Sequence, residues 1–480
     1  MSAWTLGRGK WVFVDWMGIW PGYGKDQQGR DLPFGFLVPH GIEIRAHSPR
    51  VEDEPVLFPE HPWEPRGVHA FSTFVEDGGV FRCWYHVNLQ NDVGLAYAES
   101  QDGVRWNKPV LNLQDFNGSS QNNLVRLISR GGAEQTHHVF IDPSAPPSER
   151  YKMVSSCEDR GLFGIYGAVS PDGLHWEHLV GDPVILRNRN DTHNIGSYDA
   201  STGKYRIFTR QADLTTGRRG INLAESTDFH SFPDSVRLLE STPLDPPDWD
   251  YYTSGYSPWP GAADAHLLRF SVYHRTLDTV DVHLATSRDV RIWHRPMGGQ
   301  AWIAPSPDGS LPYQAMYGCA GILRTAPGEW SSYVGVYPES HNDKGPRTPG
   351  KILRAVSRED GVVSLHAPGK GEFVTMDFPL EAEEILLNVR TGPSGFVRCS
   401  VLAADGGGGA ETVRSERHPV PVHAGFSIED CAVISGDHFA VPLVWRKHLG
   451  CLHGKSVQLH FELVEADLFA VTFGLQAAHG

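Results

Sequence analysis

Three carboxylates stand in surroundings that suit bond-breaking chemistry on a polar substrate. Asp191 opens Asp191-Thr-His193-Asn194, Asp250 lies in Asp248-Trp-Asp250-Tyr251-Tyr252, and Glu64 closes His61-Pro-Trp-Glu64. Further polar groups fall at comparable places: His86-Val-Asn88, Asn122-Asn123, Glu158-Asp159, Arg210, Arg218-Arg219, His274-Arg275, Gln314 and Glu339-Ser-His341. Paired carboxylates can serve as general acid and as nucleophile or base. Guanidinium and amide forks bind hydroxyls, and Trp and Tyr faces stack on sugar rings. The set therefore reads as a carbohydrate site. Asp191, Asp250 and Glu64 are expected to be catalytic. His193, Asn194, Arg210, Tyr252, Arg275, Glu339, His341, Glu158 and Asp15 are expected to bind substrate. Each also has a plainer reading, because Asp before a polar run often only caps a turn and Asp15 sits inside an apolar stretch.

Other chemistries lack their signatures. The chain has 24 histidines but no His-Glu-x-x-His, and its six cysteines form no Cys-x-x-Cys pair. No metal site, disulfide framework or cofactor is therefore expected. No Gly-x-Ser-x-Gly, phosphate-binding loop or dinucleotide fingerprint occurs. A net charge of −15 without a basic block argues against nucleic acid and anionic membranes. No apolar run is long enough to span a bilayer, and Asp15 interrupts the one stretch that resembles a signal sequence, so that stretch reads as a strand. The expectation is a cytoplasmic protein acting on carbohydrate, with homo-oligomerisation left open.

The elements that would position these residues come from a repeat. Ala-x-Ser-x-Asp-x-x-x-aromatic occurs at Ala98–Trp106, Ala168–Trp176, Ala224–Phe232 and Ala285–Trp293, with a degenerate copy at Ser357–Gly361. Its serines, Ser100, Ser170, Ser226, Ser287 and Ser357, are 70, 56, 61 and 70 residues apart. In each copy a strand ends at the Ser, Asp-Gly or Asp-x turns the chain, and the aromatic starts the next strand. Two more strand-like runs precede each copy. Four strands per repeat, five times, predict an all-β, five-bladed propeller over residues 1–357. The alternation of Val457, Leu459, Phe461 and Leu463 with polar residues predicts a β-sandwich over 358–480. The candidate residues fall in the two loop types that converge at one mouth of a propeller.

Phe81-Arg-Cys-Trp-Tyr85, Gly94–Trp106, Asn190–Asn194, Val282–Asp289 and Phe426–Cys431 resemble bacterial proteins classed near glycoside hydrolase family 32. That superfamily of five-bladed propeller enzymes also includes families 43, 68 and 130. The resemblance implies a glycoside hydrolase with a C-terminal β-sandwich and three acids at the channel mouth, and it favours furanosides such as fructosides or arabinofuranosides. The Trp-Met-Asn-Asp-Pro-Asn-Gly nucleophile motif of family 32 is absent, Asp15-Trp-Met-Gly being the nearest text, so no catalytic residue carries over by motif. An inorganic-phosphate-dependent phosphorylase using Arg210, Arg218 and Arg219, or a non-catalytic sugar-binding propeller, are the alternatives.

Overall fold

A computed structural model describes residues 6–21, 39–89, 93–125, 134–159, 162–179, 184–187, 193–306, 309–403 and 422–474. The fold is all-β, and no α-helix occurs among the described residues. Among the described residues no helix is long and apolar enough to cross a membrane. The chain forms two compact units, one of Ser48–Pro258 with His266–Arg358, the other of Ala3–His47, Trp259–Ala265 and Glu359–Gly480.

The first unit is built from five consecutive groups of antiparallel strands, which form four sheets, because a parallel pairing of Val280 with Ala315 joins the fourth and fifth groups into one nine-stranded sheet. The first contains Thr73–Asp77, Val80–Asn88, Val93–Ser100 and Leu124–Val125. The second holds Glu134–Ile141, Tyr151–Asp159, Leu162–Ser170 and Glu177–His178, and the third Ile195–Asp199, Lys204–Ala212, Arg219–Ser226 and Val236–Leu239. The fourth is centred on Trp249–Thr253, the His266–His274 part of the strand Ala262–His274, and Thr279–Ser287. The fifth joins Ala315–Gly318, Glu329–Tyr337 and Lys351–Arg358, and takes its outer strand, Arg50–Leu57, from far upstream in the chain. A parallel bridge between Thr73 and Ala320 then links the first group to the segment after the fifth group's inner strand.

The repeat explains itself in hydrogen bonds. Ser100 Oγ accepts the Gly103 N–H at 2.9 Å, and Asp102 Oδ1 accepts the N–H groups of Val104 and Arg105, each at 2.8 Å. Ser170 and Asp172 repeat the pattern with Gly173, Leu174 and His175. The turn's third residue is left-handed, with φ of 69° at Gly103 and 79° at Gly173, which favours glycine. Each turn is also gripped from a neighbouring sheet. Trp84 Nε1 donates to Gly173 O and Tyr333 OH to Gly103 O, both at 2.7 Å. Trp84, Tyr151, Trp330 and Tyr333 are fully buried, a gain of about 1.5–3 kcal/mol for each large side chain.

The second unit departs from the expected boundaries. Residues before Ser48 belong to it, because Gly9–Val12 pairs with Ser456–Gly474 and Glu43–Ala46 pairs with Val363–Val374. Of the expected strand over Trp11–Trp20, only Trp11 and Val12 are in strand conformation; the rest turns away, with Asp15 Oδ1 accepting the Met17 N–H at 3.0 Å. The strands make one continuous seven-stranded sheet rather than two separate ones, bent at bulges between Ala367 and Lys370 and between Thr391 and Phe396. The alternating face of Val457, Leu459, Phe461 and Leu463 is fully buried in its core.

Candidate functional site

The first unit contains a cavity of 620 Å³ whose walls come from several of its sheets. His69 and Phe71 lie just before the innermost strand of the first group, and Tyr317 lies on the innermost strand of the fifth. Tyr337 ends Glu329–Tyr337, and the following loop contributes Ser340, His341, Asp343, Lys344, Arg347 and Thr348. Tyr252 comes from Trp249–Thr253, where the pairing slips between Tyr251 and Thr253. That bulge re-aims Tyr252 out of the regular ladder.

Aromatic and cationic groups interlock here. Tyr317 OH and His341 Nδ1 are 2.5 Å apart, and the Tyr252 and His341 rings meet at 4.9 Å. The Arg210 and Arg219 guanidinium groups lie 4.3 and 5.1 Å from the Tyr252 ring centre. Asp278, in the turn between Ala262–His274 and Thr279–Ser287, clamps the 338–348 loop. It accepts from Ser340 Oγ at 2.6 Å, Asn342 N at 2.9 Å and Asn342 Nδ2 at 2.8 Å, and also from Tyr273 OH. Burial would raise the Asp278 pKa, but these hydrogen bonds bring it down to about 2.

The wall is positive. Its lining holds three cations, Arg66, Lys344 and Arg347, and one carboxylate, Asp343. The imidazoles add no charge at neutral pH, because burial pushes both His69 and His341 down to about 4. Next to Phe71 lies a layer of buried histidines. The His193 ring stacks on Phe71 at 5.4 Å, His86 Nε2 accepts the His137 N–H at 2.8 Å, and His138 Nδ1 accepts the Gly196 N–H at 3.1 Å. Burial holds His137 and His138 at about 3 and His86 and His193 well below their usual value, so this layer is neutral.

The residues expected from the sequence separate into groups. Tyr252 and His341 line the cavity, Arg210 packs on Tyr252, and Glu339 lies in the same rim loop. Glu339 Oε1 accepts from Thr348 N at 3.0 Å and Oγ1 at 2.5 Å, while its buried Oε2 has no hydrogen-bond partner. Burial opposes ionisation of Glu339, but the Thr348 hydrogen bonds and Arg347 outweigh it and lower its pKa. His193 and Asn194 are buried, and Asn194 Oδ1 accepts from Thr209 Oγ1 at 2.6 Å.

Asp250 and Glu64 are buried and saturated. Arg275 grips Asp250 through two hydrogen bonds of 2.9 Å, and the Arg219 N–H adds a third. Glu64 accepts from Tyr85 OH at 2.7 Å and from the N–H groups of Glu60 and His61 at 2.8 and 3.1 Å. It also pairs with buried Lys108 at 3.0 Å. Asp15 belongs to the second unit and does not join this cavity. Arg218 points to Ser241, 3.4 Å away. Asp191 and the Glu158 side chain lie outside the described residues.

Sequence reading missed His69, Phe71, Tyr317, Tyr337, Arg66 and Arg347. It considered polar loop residues only, whereas four of these six are aromatic rings at strand ends or in the approach to an innermost strand.

No family model matches the chain. It is 30% identical over 123 residues to an uncharacterized protein of Mycobacterium tuberculosis, covering 24% of this chain and 36% of that protein. The chain thus matches about a third of the length of its curated relatives. Among solved structures it is similar to an N-acetylgalactosamine deacetylase from F. plautii in complex with blood group B trisaccharide, at 14% identity, with 66% of this chain and 96% of that one covered and a TM-score of 0.45. It is also similar to an α-L-arabinofuranosidase from Podospora anserina in complex with cellotriose, at 13% identity, 65% and 98% coverage and a TM-score of 0.44. A thermostable family-43 glycoside hydrolase gives 13% identity, 62% and 92% coverage and a TM-score of 0.44. Likenesses at this level concern strand arrangement, so activity has to be argued from the cavity itself.

Proposed function

We propose that the first unit, read as five propeller blades, is a glycoside-cleaving domain whose cavity takes a sugar bearing a negative charge. One observation carries this reading: aromatic faces and three cations surround a 620 Å³ cavity with a single lining carboxylate. Phe71, Tyr252 and Tyr317 offer ring faces for a sugar, and the guanidinium groups of Arg66 and Arg347 fit a carboxylate, sulfate or phosphate substituent.

Bond cleavage needs two carboxyl groups with different protonation. Glu339, behind the lining residues of the rim loop, is held ionised and keeps one buried oxygen without a hydrogen bond, and in this scheme that oxygen is the base or nucleophile. Asp191, two residues before His193, is the second carboxyl by its chain position. Asp250 is a positioning residue in this scheme. It holds Arg275 and the backbone of Arg219, whose guanidinium packs on Tyr252.

The same cations favour a second reading, in which inorganic phosphate replaces water as nucleophile. One experiment separates the two. A panel of aryl glycosides, neutral and anionic, is assayed with and without phosphate, and the released anomer is followed by NMR. The proposal expects phosphate-independent turnover of an anionic member. Strict phosphate dependence selects the phosphorylase, and absence of turnover with retained binding selects a sugar-binding module.

A further inference from the structure

The fourth strand group of the first unit carries a second constellation, and it uses none of the residues assigned above. In the antiparallel pair of Ala262–His274 with Thr279–Ser287, His274 faces Thr279, Val272 faces Asp281 and Phe270 faces His283. Side chains alternate along a strand, so His274, Asp281 and His283 stand on one face of the hairpin. Their ligand atoms converge within 4.8 Å of one another. His274 Nε2 and His283 Nε2 each lie 3.0 Å from the same carboxylate oxygen, Asp281 Oδ1. The Trp249 ring walls the cluster, 5.1 Å from the His274 ring and 5.0 Å from the His283 ring.

We propose that His274, Asp281 and His283 form a binding site for a divalent first-row transition-metal ion such as zinc.

Hydrogen bonding alone accounts poorly for the arrangement. His283 Nε2 hydrogen-bonds Asp281 Oδ1 at 3.0 Å, whereas His274 Nε2, buried and equally close to that oxygen, is not aligned for a hydrogen bond to it. A nitrogen lone pair aimed at a shared cation needs no such alignment with the carboxylate. Two imidazoles and a carboxylate suit zinc or iron(II), whereas calcium and magnesium prefer oxygen donors. Tetrahedral zinc with ligands at about 2.0–2.1 Å sets neighbouring ligand atoms about 3.4 Å apart, close to the 3.0 Å seen here. Side-chain exposures of 13% at His274 and 16% at Asp281 leave a path for the ion, while His283 is closed in at 2%. The other ring nitrogen of His283, Nδ1, has no partner to orient it. Such support is worth about 10–100-fold in affinity, so binding in the micromolar range is expected.

The site would staple the two strands that meet at the turn holding Asp278, the residue that clamps the rim loop. No sequence motif marks it, because the ligands sit on adjacent strands instead of one helix turn.

The test uses the full chain stripped with a chelator, then titrated with zinc chloride by calorimetry, with bound metal counted by mass spectrometry after dialysis. One equivalent should bind with micromolar affinity, and the melting temperature should rise by about 3 °C at a tenfold excess over Kd. His274→Gln and Asp281→Asn should each weaken binding at least tenfold while the circular dichroism spectrum is unchanged. A double control, His175→Gln with His230→Gln, removes the exposed His–Asp pairs at Asp172 and Asp228 and should leave the affinity unchanged. No binding at 100 μM zinc, or binding that survives both His274→Gln and Asp281→Asn, overturns the proposal.

Discussion

The carboxylates of the first unit's buried interior and those of its 338–348 rim loop use the same chemistry to opposite ends. Glu64 takes four donors, and Asp250, fully buried, takes three with the Arg219 guanidinium a further 3.6 Å away, so neither is open to a substrate. In the rim loop, Glu339 keeps one oxygen unbound and Asp343 lines the cavity. A carboxylate's place in a loop before or after an inner strand therefore says little about its role. How many of its lone pairs the fold has already used says more.

Acidification should separate the two regions most strongly. His69, His137 and His138 are neutral in the fold, with pKa values of about 4, 3 and 3 set by burial. In the unfolded chain they protonate near pH 6.5, so below that pH the unfolded state binds more protons. Stability contributed by these histidines is complete above about pH 6.5 and falls steadily toward pH 4. Urea midpoints measured across that range should drop, and a flat profile would show that the histidine layer opens to water.

Next in size is Glu64→Gln, which removes the buried charge partner of Lys108 and leaves it half-exposed Glu60 at 3.1 Å. A loss of about 3 kcal/mol in urea unfolding is expected, the lower end for a broken buried pair; a loss below about 1 kcal/mol would free Glu64 for another role. Glu339→Gln should instead spare stability and lower kcat at least ~100-fold, the scale of lost acid–base or nucleophilic help. Equal turnover would remove Glu339 from the reaction. Asp250→Asn should cost about 2 kcal/mol, less than Glu64→Gln because Arg275 is 42% exposed and its charge is better screened. Its effect on turnover should be partial and should appear in KM, since Asp250 acts through Arg219 and Arg275.

The all-β class and the repeating turn were legible because they rest on local chemistry. Ser and Asp side chains cap their own backbone, and the spacing of the five serines records one strand set per repeat. The first unit's upstream boundary was not legible, because Gly9–Val12 and Glu43–Ala46 pair with strands more than 300 residues away. The candidate site was half legible. Tyr252, His341, Arg210 and Glu339 could be named from loop position, but Asp250 and Glu64 could not be told from free acids without knowing that Arg275 and Lys108 fold onto them. The cationic wall was missed because Arg66 and Arg347 lie 281 residues apart in the sequence and meet only at the cavity.

The most direct test compares matched sugars that differ only in charge. Binding of glucose and glucuronate, and of galactose and galacturonate, to the full chain is measured by calorimetry at low salt. The account predicts that at least one uronate binds tenfold or more tightly than its neutral partner. It also predicts that Arg66→Gln with Arg347→Gln abolishes the difference, each lost charged hydrogen bond being worth about 1.5–3 kcal/mol. Equal affinity for the charged and neutral members of both pairs, or a preference that survives the double substitution, would contradict it.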